Sequence, residues 1–243
     1  MNSLMKISVK LSFPLGALFY TDIVDFTCQS FWRMVKKLNC VNIDQKCVDC
    51  PLKDACQYYR LTGENFTYYP AIIFKKSLFE QSLFRDNESY TFDIYFIGHS
   101  STYSSYVDVF FQDYNDFLLG NHPYQIRSFI KENVMNEMID AGTIVIKTIV
   151  EGDDFKNVYN KMVDYYNHHY DCDYHFIKDV EVISIRQMRL DIVKMPTRRI
   201  KPVGYTYSVI MNDVIDSNFL LTGIGQYNYL GGGRVEIRDQ TSL

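Results

Sequence analysis

The chain has 243 residues, enough for one large domain or two small ones with real cores. Hydrophobic content of 47% and charged content of 22% exclude a disordered chain. A net charge of −4 and a pI near 5.7 exclude a uniformly basic nucleic-acid binder, so any such site must be a local patch.

In chain order, Lys6–Tyr20 reads as a strand broken by a turn at Pro14–Gly16. No signal peptide or membrane span is legible, so a cytoplasmic protein without a membrane partner is expected. Asp22–Leu38 spaces Ile23, Phe26, Phe31, Met34, Val35 and Leu38 as a helix, with Thr21 or Asp22 as its cap. Tyr68–Phe74 and Tyr90–Gly98 are strand candidates. Val107–Leu119 has helical periodicity, and Tyr124–Phe129 suits a short strand. Thr143–Val150 is a β-branched strand, followed by a helix over Asp154–His169. Val180–Met188 and Val203–Met211 suit antiparallel strands, Asp213–Leu221 a short helix or turn, and Val235–Ile237 a closing strand. This order implies an α+β protein of two ferredoxin-like (RRM-like) halves in tandem, divided between residues 125 and 126, with an insertion that contains cysteines.

Two patterns carry chemistry. Arg186, Arg189, Lys194, Arg198, Arg199 and Lys201 fall within sixteen residues that hold a single acid, Asp191. Just downstream, Gly223, Gly225, Gly231, Gly232 and Gly233 lie within eleven residues and end on Arg234. Glycine permits positive φ and close backbone approach, and consecutive free N–H groups can cradle phosphate oxygens.

The segment Gly223-Ile-Gly225-x5-Gly231-Gly-Gly233-Arg234 resembles the C-terminal motif of the repeat-associated mysterious proteins, the RAMP superfamily of CRISPR systems. Gly232 stands where a larger apolar residue is common. Val203–Leu221 is similar to the strand, aspartate and short helix before that loop, and Ser184-Ile-Arg186-Gln187 to an upstream S-x-R-Q stretch. Phe96–Gly98, and Leu119–Gly120 ahead of Pro123, are similar to two further short motifs. The resemblance implies tandem ferredoxin-like folds and binding to CRISPR repeat RNA. It also implies metal-independent cleavage of the precursor within the repeat by 2′-OH attack, leaving a 2′,3′-cyclic phosphate. The superfamily includes non-catalytic subunits of effector complexes, so other such subunits are expected partners and a silent RNA-binding role is the alternative.

RNA contacts are expected from Arg186, Arg189, Arg198, Arg199, Lys201 and Arg234, together with Gly223, Gly225, Gly231 and Gly233. Tyr205, Tyr207, Tyr227 and Tyr229 are candidates for stacking on bases or for core packing. Cleavage without a metal needs a base, an acid and charge on the phosphorane. Repeat-processing members often carry a histidine near the first helix, whereas here the first is His99, amid hydroxyl side chains. The catalytic candidates are His99, with Tyr20 and Lys37 beside the first helix. The other histidines, His122, His168, His169 and His175, suit turns, a helix end and an acidic surface.

Cys40-x6-Cys47-x2-Cys50-x5-Cys56 places four thiols in seventeen residues. In a reducing compartment such spacing suits a structural zinc, and an iron–sulfur centre uses four thiolates too. A similar cluster followed by C-x-Y, here Cys56-Gln-Tyr58, occurs in one branch of the repeat-processing family. No cofactor is expected for catalysis.

Overall fold

The computed structural model describes residues 3–43, 45–77, 79–114, 116–140, 142–189, 193–194, 199–200 and 203–238. Strand β1 (Ser3–Phe13) turns Ile7, Val9, Leu11 and Phe13 into the core, while Lys6, Ser8 and Lys10 take the other face. Helix α1 (Ile23–Asn39) starts at Asp22, whose Oδ1 accepts the Val24 N–H at 2.9 Å. It packs Phe31, Trp32, Met34 and Val35 against the core, and the lysines of its last turn suit the helix dipole. Strands β2 (Ile72–Phe74), β3 (Glu88–Ile97) and β4 (Gln125–Met135) complete the first sheet, whose order is β2-β3-β1-β4.

The second half repeats the plan. Strand β5 (Thr143–Val150) leads into α2 (Phe155–Tyr170), then β6 (Val180–Arg189), β7 (Val203–Met211), α3 (Asn218–Thr222) and β8 (Val235–Arg238). Their order in the sheet is β6-β7-β5-β8. In both sheets the second strand of the half lies at one edge, the fourth at the other, and the third pairs with the first. Every pairing is antiparallel. This is the ferredoxin-like arrangement, found twice. Among the described residues no helix is long and apolar enough to cross a membrane.

Three expectations are corrected. The strand read at Tyr124–Phe129 runs over Gln125–Met135 and pairs with β1 from Ser12↔Gln125 to Ser3↔Met135. The first sheet therefore extends past the expected division at 125/126. The signal was weak because β4 leaves most of its side chains in solvent. The helix read over Val107–Leu119 is a helical turn, Ser105–Asp108, that continues as a π-helix and ends early, at Tyr114. A small hairpin of Leu118–Leu119 with His122–Pro123 follows. Asp213–Leu221 divides into a strand, Val214–Asp216, paired with Met138–Asp140, and α3.

The halves meet along α2, and tyrosines make the joint. Tyr159, Tyr166 and Tyr170 are fully buried. Tyr170 donates its hydroxyl to the Arg60 carbonyl at 2.7 Å, and Tyr166 donates to the Pro70 carbonyl at 3.3 Å. The Tyr166 oxygen also accepts from Asn228 Nδ2 at 2.9 Å. Tyrosine suits this place because its ring fills apolar space while its hydroxyl satisfies irregular backbone. Gly98 (φ +57°) passes so close that a Cβ there would lie 2.0 Å from the Tyr170 carbonyl oxygen. Replacing Tyr166 by Phe leaves two buried polar groups short of a partner and is expected to cost about 1–3 kcal/mol. Urea denaturation checks this; an unchanged midpoint would contradict it.

Candidate nucleic-acid interface

The glycine-rich segment forms a folded loop between α3 and β8. Gly223, Gly225, Gly231 and Gly233 all have positive φ. Ile224 is buried and donates its N–H to the Gly233 carbonyl at 2.8 Å, and Gly233 donates to Ile149 at 3.0 Å. Gly232 donates to Tyr227 and Gly231 to Asn228, while the Gly225 amide points at Met162 Sδ. Gln226 donates its N–H to Glu151 Oε2 at 2.7 Å, and Arg234 donates to Thr148 Oγ1 at 2.9 Å. These amides are spent within the protein, on the loop itself and on β5 and α2 beside it, so a phosphate nest of free N–H groups is not what the glycines build. Their use is steric: a Cβ on Gly233 would sit 1.5 Å from the Ile224 carbonyl oxygen.

The loop also ties the halves together. Tyr229 packs on Phe66, ring centres 5.1 Å apart, and Phe66 packs on Trp32 of α1 at 5.6 Å. Glu151 accepts the Tyr69 hydroxyl at 2.9 Å, and burial pushes its carboxyl up. On the opposite side of the loop, Lys75 donates its side chain to the Leu221 carbonyl and its backbone N–H to Asp93. Burial, with Arg234 nearby, pushes Lys75 down to about 8. Lys76 pairs with Asp25 of α1 at 2.7 Å and with Glu80 at 3.1 Å. Lys75, Lys76, Asn228, Gly231 and Arg234 thus line one shallow cleft. It lies where the edge of the first sheet meets the start of β8.

Lys75 and Lys76 carried no signal in the sequence. Two lysines after an apolar strand read as a solvated end, and only the topology brings them to the loop. A separate cleft of about 330 Å³ sets Glu151, Asp153 and Asp154 against a single Lys161, a balance that disfavours phosphate.

The expected RNA contacts fall into groups. Arg186 and Arg189 are exposed on β6, an edge strand solvated on both faces. Arg199 lies in a short strand pair with Lys194. Arg198 and Lys201 lie outside the described residues. Tyr207 is core: it packs on Phe155 at 5.5 Å and donates to the Gly152 carbonyl. Tyr229 is buried as well. These two cannot stack on bases, whereas Tyr205 and Tyr227 are half-buried.

The catalytic candidates do not converge. Tyr20 follows the Phe13 end of β1, while His99 follows Ile97, which pairs with Leu4 at the other end. An eleven-residue strand separates those ends by about 35 Å. Tyr20 packs on Phe26 of α1, and Lys37 lies about 16 Å farther along the helix by its rise, over the Tyr114 ring. His99 rests against Tyr170. Among the other histidines, His122 bonds the Leu18 carbonyl and His175 stands 3.6 Å from Asp213. His169 is stacked on Tyr165 at 4.1 Å, where burial lowers its proton affinity.

The four cysteines Cys40, Cys47, Cys50 and Cys56 are free thiols that line one small cavity. Among the described residues, no three donors already stand in a metal-holding arrangement.

The fold is the tandem ferredoxin-like fold also found in Cas6 structures. No protein-family model matches the chain, and no curated protein sequence does. Among solved structures, a Cas6 product complex superposes with a TM-score of 0.52 at 9% identity, over 97% of this chain and 99% of that one. A structure described as CRISPR associated protein Cas6 is 14% identical, covering 97% of this chain and 100% of its own, with a TM-score of 0.48. A Cas6-related protein from Pyrococcus furiosus is 15% identical over 98% and 99%, also at 0.48. At these identities the likeness is one of fold.

Gly233→Ala forces either the Ile224–Gly233 contact or the positive φ to give way. It is expected to destabilise the chain by more than about 3 kcal/mol. Gly231→Ala, whose Cβ would meet only the Lys76 side chain at 3.1 Å, should cost less. Thermal unfolding of the two variants checks the order.

Proposed function

We propose that the chain is a RAMP-superfamily protein that binds the repeat of a precursor CRISPR RNA and cuts it. One observation supports this most: two ferredoxin-like sheets, in the fold of a Cas6 product complex, meet at a glycine-rich loop flanked by Lys75, Lys76 and Arg234. The acidic protein concentrates cationic side chains at this junction, where a phosphate can be held without a basic surface elsewhere. Arg186 and Arg189 on β6 extend the contact along the backbone of the RNA, and Tyr205 and Tyr227 are left to meet bases.

Cleavage proceeds by attack of a 2′-OH on the adjacent phosphate. The 2′ proton leaves, the phosphorane collects negative charge, and the 5′ oxygen departs with a proton, giving a 2′,3′-cyclic phosphate. Lys75 and Arg234 are placed to offset the phosphorane charge. His99, Tyr20 and Lys37 lie too far apart to act as one set. That dispersal favours the second reading, a silent subunit that binds guide RNA within an effector complex.

Incubation with labelled repeat RNA in EDTA separates these readings. A single defined cut with a product lighter by one water supports cleavage. Tight binding without a cut supports the silent subunit, and absence of salt-dependent binding removes both.

Lys75 supplies a pH test. In the folded chain its charge is half lost near pH 8, whereas an ordinary lysine reaches that point only near 10.5. Affinity for repeat RNA at fixed ionic strength should therefore fall severalfold, on the order of one phosphate contact, between pH 7 and 9. Lys75→Arg should remove the fall, because arginine stays charged throughout. A parallel fall in both proteins would take Lys75 out of the RNA site.

A further inference from the structure

Between α1 and β2, residues 40–56 reverse the usual pattern of burial. The aliphatic side chains face solvent: Val41 is 88% exposed, Val48 61% and Leu52 54%. Among the described residues of this stretch no side chain is fully buried. The regular structure is two 3₁₀ turns, Cys47–Asp49 and Lys53–Ala55. A segment with no apolar interior needs another source of order.

What faces inward is thiol. Cys40, Cys47, Cys50 and Cys56 line one cavity of about 20 Å³, with Lys53 and Tyr58. Cys47 and Cys50 bracket the first turn, where Cys50 donates its N–H to the Cys47 carbonyl at 3.2 Å. That is the knuckle from which two thiolates reach one ion. Cys56 ends the second turn, and Cys40 caps α1.

A second observation is independent of the cysteines. The Tyr58 hydroxyl, on a side chain only 1% exposed, has no hydrogen-bond partner among the described residues and lies on this same cavity. A buried donor without an acceptor is costly, and a thiolate sulfur is an acceptor.

We propose that Cys40, Cys47, Cys50 and Cys56 bind one structural Zn²⁺, with Tyr58 donating to a ligating sulfur. The thiols are not yet at coordination distance, so binding draws the two turns together. Each ligand gives up its proton, so one Zn²⁺ displaces four protons and leaves a site of charge −2. Lys53 on the cavity, and Lys36, which reaches the Ile43 carbonyl at 2.9 Å, offset that charge. The Cys47-x2-Cys50 pair with two further thiols matches the ligand set of a single tetrahedral Zn²⁺, and bound iron is an outcome that the test below reads.

The test uses the full-length, untagged chain purified without added metal. Elemental analysis should find about one zinc per chain in a colourless protein. Titration with a mercurial should release that zinc in step with the four thiols of the cluster, leaving buried Cys28 to react later. Cys50→Ser should lose most of the zinc, while Cys172→Ser should keep it. If Cys50→Ser fails to fold, the titration of the native chain still decides. Three results overturn the proposal: a metal-free chain whose four thiols alkylate freely, iron with visible charge-transfer absorbance, or full zinc retention in Cys50→Ser.

Discussion

The hydroxyl of Tyr166 holds three parts of the chain at one buried point. It belongs to the long helix of the second half, donates to Pro70 of the first half, and accepts from Asn228 of the glycine-rich loop. The loop can reach that point only because its own backbone folds tightly, Ile224 against Gly233, with no side chain between them. Once Asn228 is fixed, Gly231 rests on the Lys76 stem and Tyr229 on Phe66. The cationic cleft follows from this packing. The arrangement resembles a keystone, in which the glycines shape the loop and the side chains of its neighbours supply the charge.

Much of the fold was legible because its signals were local. Asp22 caps α1 as its position suggested, and the β-branched run at Thr143–Val150 is a central strand. The tandem ferredoxin-like plan follows from the order of such elements. Strand β4 was largely hidden, because an edge strand with little burial lacks the alternation that marks a half-buried one. Local sequence also cannot show that Lys75 stands beside Arg234, since 159 positions separate them and only sheet order brings them together.

The site divides the same way. The glycines were legible as a conformational demand, but their amides are used within the loop and on the elements packed against it, and not offered to a ligand. Tyr207 shares its face of β7 with Val209 and Met211, and that face is turned inward, while Tyr229 is buried on a 3₁₀ turn of the loop. Other tyrosines, Tyr69, Tyr166 and Tyr170 among them, are spent on the joint between the halves. The cysteine spacing announced a cluster, whereas the orphaned hydroxyl of Tyr58 is visible only in three dimensions.

The aromatic chain from Trp32 through Phe66 to Tyr229 bears on how the molecule comes apart. Two copies of one topology would ordinarily be free to melt separately, each around its own core. Here the first half borrows a ring from the loop of the second, and the second rests its helix on backbone supplied by the first. Neither half keeps its interior covered without the other. The duplication is therefore one of architecture and not of independence: the chain is expected to unfold as a single unit, with both cores opening together.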